Sequence, residues 1–445
     1  MPNPGSWTRR RFVGTVGATC GAAALGRVAP ALAAPARAPN IILILADDLG
    51  YGDLSCFGSQ TIHTPHVDRL AEEGARFTDL YACAAVCTPS RAGLLTGRYQ
   101  LRVGLPRVLH PKADTGISHW EVTLAEGLRR AGYATCCIGK WHLGDRPRYR
   151  PLRHGFDRYY GLLYSNDMNP LPLYRGDEVI EEPAEQSTLT ERYTQEAVQF
   201  IRDSRDRPFF LYVPHTMPHV PLHVSPEFAG RSQGGLYGDV VECVDWSVGE
   251  IARTVDGLGL RDNTLLLFTS DNGPWLQQKE HGGSAGPLRA GKGTAYEGGV
   301  RVPFVARWPG RIPAGHLCAA PVISLDLYTT ALLLAGVTPP RDRVVDGRDM
   351  LPVLTGRARS PHDMLCFCVG DELRAVRGDN WKLHLRGQRE GQVVTLDPPE
   401  LYDLAANLGE TTNVAEQHPE VVAGLRERIA TWEAELARER RERGL

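Results

Sequence analysis

Residues 41–45, Ile-Ile-Leu-Ile-Leu, form an unbroken apolar run that stops at Asp47-Asp48. A segment with no polar position on either face has to be covered on both, as in an interior strand of a sheet flanked by helices. Three further runs repeat the pattern: Ala134–Ile138, Phe209–Val213 and Leu265–Thr269. Amphipathic segments lie between them. Helices are predicted over 65–76, with Thr64 as N-cap before Pro65, and near 120–131. The alternation predicts an α/β fold with a large, mostly parallel central sheet flanked by helices.

Past residue 340 the character changes. Short alternating runs (365–370, 373–378, 381–386), the segment 400–404 and a charged amphipathic stretch from 419 to 440 predict a small antiparallel sheet with one helix. The terminal 437–444 stretch reads as a solvated helix face. The expected organisation is a catalytic domain over 39–340 and a small α+β domain over 341–445.

Residues 1–38 contain five arginines and no acid. Thr8-Arg9-Arg10-Arg11-Phe12 precedes a Gly/Ala-rich apolar run and small-residue cleavage options at 31–33 and 36–38. This reads as a twin-arginine (Tat-like) signal peptide, too short and interrupted to span a bilayer. The expected location is extracytoplasmic, with no stable membrane insertion. The whole chain has formal charge −2, and removing 1–38 leaves 45 basic against 52 acidic residues, or −7. That balance argues against a nucleic-acid partner. Ten cysteines are present, one of them Cys20 in the signal, so the mature count is odd and the pairing is open. Only five of the 50 basic residues are lysines: Lys112, Lys140, Lys279, Lys292 and Lys382. Among so many arginines, a retained ammonium marks a position where a compact point charge is wanted.

The strand ends carry the chemistry-bearing residues. The first run ends in Asp47-Asp48, the next in Lys140-Trp141-His142, the third in His215 and His219, the fourth in Asp271-Asn272. Open α/β sheets bind ligands outside the carboxyl ends of their strands. Three carboxylates and a carboxamide are hard oxygen donors of the kind Ca²⁺ or Mg²⁺ takes. One Asp-Asp alone would read as a turn or helix cap, and each histidine alone as structural; two acidic ends on one rim favour a metal. Two familiar patterns are discounted. Gly286–Lys292 begins like a P-loop but has Gly293 where Ser or Thr is needed, and Gly282–Gly286 matches a nucleophile elbow without the strand and helix it requires.

The most specific stretch is Cys87-Thr88-Pro89-Ser90-Arg91 followed by Leu95-Thr96-Gly97-Arg98. It resembles the sulfatase signature, in which the cysteine is converted to formylglycine. The blocks 40–53, 139–144, 164–167, 270–273 and 291–301 resemble, in order, those of type I sulfatases of the alkaline phosphatase superfamily, nearest the arylsulfatase A and N-acetylgalactosamine-6-sulfatase group. The resemblance spans essentially the whole mature chain. It implies that Asp47, Asp48, Asp271 and Asn272 hold a Ca²⁺ together with the formylglycine from Cys87. Arg91 would orient that residue; Lys140, Ser165 and Lys292 would hold sulfate oxygens; His142 would hydrogen-bond the formylglycine hydroxyl. His219 fits the leaving-group acid better than His215, because His219-Val220-Pro221 supplies the family's His-x-Pro.

The implied activity is hydrolysis of aryl or sugar sulfate monoesters, with a formylglycine-generating enzyme as partner. A hydrated aldehyde carries two hydroxyls on one carbon: one attacks sulfur, assisted by Asp271, and deprotonation of the other expels sulfate. A serine at position 87 would stay sulfated. A phosphomonoester or phosphonate hydrolase on the same scaffold is the nearest alternative, and a non-catalytic sulfated-glycan binder with unconverted Cys87 is another. The variable segments 104–118, 165–190 and 274–288 are expected to read the alcohol.

Overall fold

The computed structural model describes residues 38–389 and 392–444. The signal-peptide reading, with Cys20, falls on residues outside this range, apart from Ala38. Eleven strands form the large sheet: β1 (Asn40–Ala46), β2 (Ala75–Tyr81), β3 (Ala134–Ile138), β4 (Arg158–Leu162), β5 (Leu173–Arg175), β6 (Glu178–Glu181), β7 (Phe209–Pro214), β8 (Thr264–Ser270), β9 (Arg301–Arg307), β10 (His316–Cys318) and β11 (Val322–Ile323). Their order is β10-β2-β9-β8-β1-β7-β3-β4-β5-β6, with β11 also pairing β2. The centre, β8-β1-β7-β3-β4, is parallel throughout, and antiparallel pairs enter toward both edges.

All seven residues of β1 are buried, because it is the middle strand with helices on both faces. Its two faces feed separate apolar clusters: Ile41, Leu43 and Leu45 into one, Ile42, Ile44 and Ala46 into the other. Burying each such side chain is worth about 1.5–3 kcal/mol, so the register is firmly fixed. That register, Ala46 opposite Ser270, sets Asp47 beside Asp271.

Thr64 precedes the helix Pro65–Glu73 as expected, but its hydroxyl is engaged by Ser55 N (2.9 Å) and Asp68. The free amides are capped from across the fold by Asp245, which accepts from Val67 N (2.8 Å) and His66 N (3.2 Å). The predicted helix also runs too far, since residues 75 and 76 open β2. At Gly74 the chain passes so close to β9 that a Cβ would lie 2.1 Å from the Ala306 carbonyl oxygen, which only glycine permits. The helix predicted near 120–131 is Leu124–Arg130, with a Thr123–Glu126 capping box.

The small sheet is antiparallel, β12 (Leu365–Val369), β13 (Glu372–Gly378), β14 (Trp381–Arg389) and β15 (Gln392–Asp403), followed by the helix Pro419–Arg443. Phe367, Leu383 and Leu401 share an apolar cluster with Tyr81, Cys83 and Leu325 of the larger layer. The last turns of the helix correct the solvated-face reading. Glu439 accepts from Arg98 (2.7 Å) and Arg102 (2.6 Å), and Arg443 reaches Glu121 (2.8 Å). The nine cysteines among the described residues are all unbridged. Among those residues no helix is long and apolar enough to cross a membrane.

Candidate active site

Backbone bonds continue past the strand ends and fix the loops that carry the polar residues. Asp271 N donates to Ala46 O (3.1 Å), Lys140 N to Pro214 O (2.7 Å), His215 N to Leu45 O (2.8 Å) and Asp47 N to Met217 O (3.2 Å). Four strand ends are thereby locked into one rim. Above it, the wholly buried helix Cys87–Thr96 begins with Cys87, so its positive N-terminal end faces the cluster. Ligand-capable atoms of Asp47, Asp48, Cys87 and His219 lie within 4.8 Å of one another.

Arg91 knits the acids together. Its Nε donates to Asp271 Oδ2 (2.9 Å), its Nη2 lies 2.8 Å from the same oxygen and 3.3 Å from Asp47 Oδ2, and its Nη1 donates to Lys140 O (2.7 Å). Lys140 Nζ donates to Asp47 Oδ2 and to Ser165 Oγ (3.0 Å). Lys292 Nζ donates to Asp48 Oδ2 (2.6 Å) and sits 4.3 Å from the Trp275 ring centroid. Asn272 Nδ2 donates to Asp48 Oδ1 (2.7 Å), while its own Oδ1 is buried without a hydrogen-bond partner. Sequence reasoning also named Cys87 as a ligand, and its Sγ is 3.6 Å from Asp47 Oδ1.

The histidines separate cleanly. His219 Nδ1 is bonded to Val220 O (2.5 Å), and its Nε2 faces Asp48 Oδ2 at 3.5 Å. His142 Nε2 donates to Leu109 O (3.0 Å), which leaves Nδ1 as a buried acceptor with no partner. His215 instead contacts Ser247 Oγ (3.3 Å) and the Tyr193 ring, apart from the acidic cluster. Asp48 and His142 both hold left-handed backbones, φ 62° and 60°. That conformation costs a non-glycine residue about 1–2 kcal/mol.

Burial and charge set the protonation states. Burial alone would raise Asp47, but Lys140 and Arg91 outweigh it and hold the carboxyl well below the usual range. Asp271, buried and facing the Asp47 charge, is pushed up to about 6. Burial drives the Cys87 thiol up to about 12 despite Lys140 and Lys292, so it carries its proton at neutral pH. Burial, then Lys140, holds His142 well below its ordinary value and keeps it neutral.

Of the residues given a role by the resemblance, all have their side chains at this rim, whereas the side chain of the rejected alternative His215 turns away to Ser247. Sequence reasoning gave no role to Trp275, which packs at a tilt against His219 (centroids 5.5 Å apart, planes at 51°) and underlies Lys292. It also gave none to Ser90, whose hydroxyl donates to Asp271 O, or Thr88, which donates to His142 O (2.9 Å). Their place within the Cys87–Arg91 pattern was the available signal for Ser90 and Thr88; for Trp275 it was an aromatic three positions past Asn272.

A fold with this rim and this cluster is that of a hydrolase acting on tetrahedral oxyanion esters. The sulfatase family model matches residues 39–337, and the model described as N-sulphoglucosamine sulphohydrolase, C-terminal, matches 291–435. The chain is 40% identical to human arylsulfatase A over 447 aligned positions, covering 88% of this chain and 87% of that protein. It is 41% identical to N-acetylgalactosamine-6-sulfatase of the dog, covering 78% and 71%. A crystal structure of a Pseudoalteromonas sulfatase superimposes with a TM-score of 0.84 at 29% identity, covering 90% and 91%. The chain belongs to the sulfatase family and is a sulfuric ester hydrolase.

Proposed function

We propose that this chain is an exported hydrolase of aryl or sugar sulfate monoesters that uses Ca²⁺ and a formylglycine made from Cys87. The observation that carries the reading is the convergence of Asp47, Asp48, Cys87 and His219 within 4.8 Å, ringed by Arg91, Lys140 and Lys292. Asp47, Asp48, Asp271 and Asn272, with residue 87, would hold the cation. The donor set fits, being mostly hard oxygens, and the partnerless Asn272 Oδ1 is an acceptor awaiting one. Three carboxylates here cancel three cations, so the chain alone offers a sulfate ester no net charge. When bound, the cation supplies that positive charge, and the formylglycine hydrate supplies the attacking hydroxyl.

The chain's own residues do the rest. A lysine ammonium has three donors. Lys140 spends two and Lys292 one, leaving donors for sulfate oxygens beside Ser165. Arg91 holds Asp47 and Asp271 in place and fixes the Lys140 backbone. Asp271 assists the attack, and the free Nδ1 of neutral His142 accepts a hydroxyl proton. His219, its Nδ1 proton held on the Val220 carbonyl, turns Nε2 to the cluster and, as the imidazolium, would give the Nε2 proton to the departing alkoxide or phenoxide. Cys87 is 2% exposed, so the formylglycine-generating enzyme must meet this segment before it folds. Export rests on the sequence of residues 1–38.

The test is a mass spectrum of the Cys87 peptide from active protein, alongside turnover of 4-nitrophenyl sulfate and 4-nitrophenyl phosphate. Formylglycine and faster sulfate turnover are expected. Unmodified thiol in active protein would overturn the chemistry, and faster phosphate turnover would favour the phosphomonoesterase alternative.

A further inference from the structure

Outside this site, the stretch 341–344, the end of the helix Pro419–Arg443 and Trp120 enclose a hollow of about 370 Å³. That volume lies within the roughly 300–1,000 Å³ range of small-ligand pockets. Trp120 is 73% exposed, above every other large hydrophobic side chain among the described residues. Its indole is nevertheless presented from a fixed base. The Trp120 carbonyl accepts from Arg343, and the next residue, Glu121, is buried against Arg98 (3.1 Å) and Arg443 (2.8 Å). An exposed flat ring on a backbone held this firmly is a contact surface.

The charges around it sort into used and unused. Arg343 is spent on Asp342 and the Trp120 carbonyl, Arg443 on Glu121 and the Arg102 carbonyl, and Glu439 on Arg98 and Arg102. Among the described residues Arg341 and Arg438 have no carboxylate partner, and the one acid left over in the hollow is Glu442. Residues 39–445 are acidic overall, 45 basic against 52 acidic, so a surplus of free guanidinium here runs against the global sign. Guanidinium forks match sulfate or carboxylate oxygens two at a time, and the indole face matches the C–H face of a sugar ring.

We propose that this hollow is a non-catalytic site for an anionic sugar unit of a polysaccharide, its ring on Trp120 and its sulfate or carboxylate on Arg341 and Arg438. It would keep the enzyme on a polymer between turnovers, and the binding can be measured whether or not the polymer is hydrolysed.

The full chain is run by affinity electrophoresis in gels containing dextran sulfate, polygalacturonate or neutral dextran. Retardation by at least one polyanion and not by dextran is expected, and which polyanion retards it separates sulfate from carboxylate recognition. Because polyanions can also enter the catalytic site, the reading comes from variants that leave that site intact. W120A and R341A/R438A should each weaken polyanion binding at least about tenfold, with W120F falling between W120A and the parent. Their unfolding midpoints and kcat/KM on 4-nitrophenyl sulfate should stay unchanged. Equal binding by parent and both variants overturns the proposal, as does equal retardation by neutral dextran. A change in sedimentation of W120A with polyanion binding intact also overturns it, and assigns the indole to a protein contact.

Discussion

Two of the buried ionic clusters in this fold have the same charge count. At the strand ends, Asp47, Asp48 and Asp271 face Arg91, Lys140 and Lys292. Where the small sheet meets the large one, Glu297, Glu410 and Asp79 face Lys382, Arg301 and Arg377. In the second cluster every carboxylate is answered. Glu297 takes Lys382 (2.7 Å), Tyr81 OH (2.6 Å) and Arg301 (3.1 Å), Glu410 takes His384 (2.7 Å) and the Glu297 amide (2.7 Å), and Asp79 takes Arg301 (2.8 Å) and Arg377 (2.6 Å). In the first, His142 Nδ1 and Asn272 Oδ1 are orphaned, and Asp48 and His142 have left-handed backbones. Charge balance does not separate a site from a brace, and neither does backbone strain, since Glu410 in the brace is left-handed too (φ 48°). Unspent hydrogen-bonding capacity does.

The largest effect should come from Cys87→Ala. Turnover of 4-nitrophenyl sulfate is expected to fall by at least ~10⁴-fold, with the thermal midpoint nearly unmoved. A matching loss of stability would mean that Cys87 braces the fold. The converse is Lys382→Met, which leaves Glu297 and Glu410 short of their shared cation. Breaking such a buried pair costs about 3–5 kcal/mol, read by urea unfolding, while kcat/KM well below the midpoint should change little. If K382M instead abolished turnover at unchanged stability, the brace would belong to the chemistry.

Stripping divalent cations should abolish turnover and lower the midpoint. Restoring Ca²⁺ at a hundredfold excess over Kd should return about 3 kcal/mol, seen as a calcium-dependent midpoint by calorimetry. The smallest effects are those of pH, and they have opposite signs in the two clusters. Burial would raise Glu297, but Lys382 and Arg301 win and hold it down at about 2. Its contribution is present above the unfolded value of 4.5 and is lost as pH falls toward 2, by roughly 3 kcal/mol at most. Asp271 is raised from 3.8 to about 6, so in cation-free protein its own contribution to stability is greatest below 3.8 and declines as pH rises to 6. Urea unfolding of E297Q and D271N against the parent, over those two windows, reads each slope. Added Ca²⁺ should flatten the second and leave the first.

The candidate rim was legible because each element of it is local in sequence. Apolar runs announce β1, β3, β7 and β8, and the polar residues follow within a few positions. The preference for His219 over His215 came from the His-x-Pro resemblance, and the fold turns His215 toward Ser247 and His219 toward Asp48. The brace was not legible at all. Glu297 finds Lys382 across 85 positions and Glu410 across 113, and no periodicity marks a partner that distant. Strand β2 was missed in part because Ala-Arg-Phe-Thr-Asp-Leu-Tyr follows a helix after one glycine and carries charged residues, Arg76 and Asp79, whose partners come from elsewhere.

The scarcity of lysine has a practical side once the five are placed. Lys140 and Lys382 are wholly enclosed, Lys292 is 11% exposed and its ammonium is clamped on Asp48, and only Lys112 and Lys279 stand in solvent. Amine-directed reagents thus have two side-chain handles on the described surface. Dyes, linkers or solid supports coupled through them would attach at two defined places, both within segments expected to read the alcohol, 104–118 and 274–288.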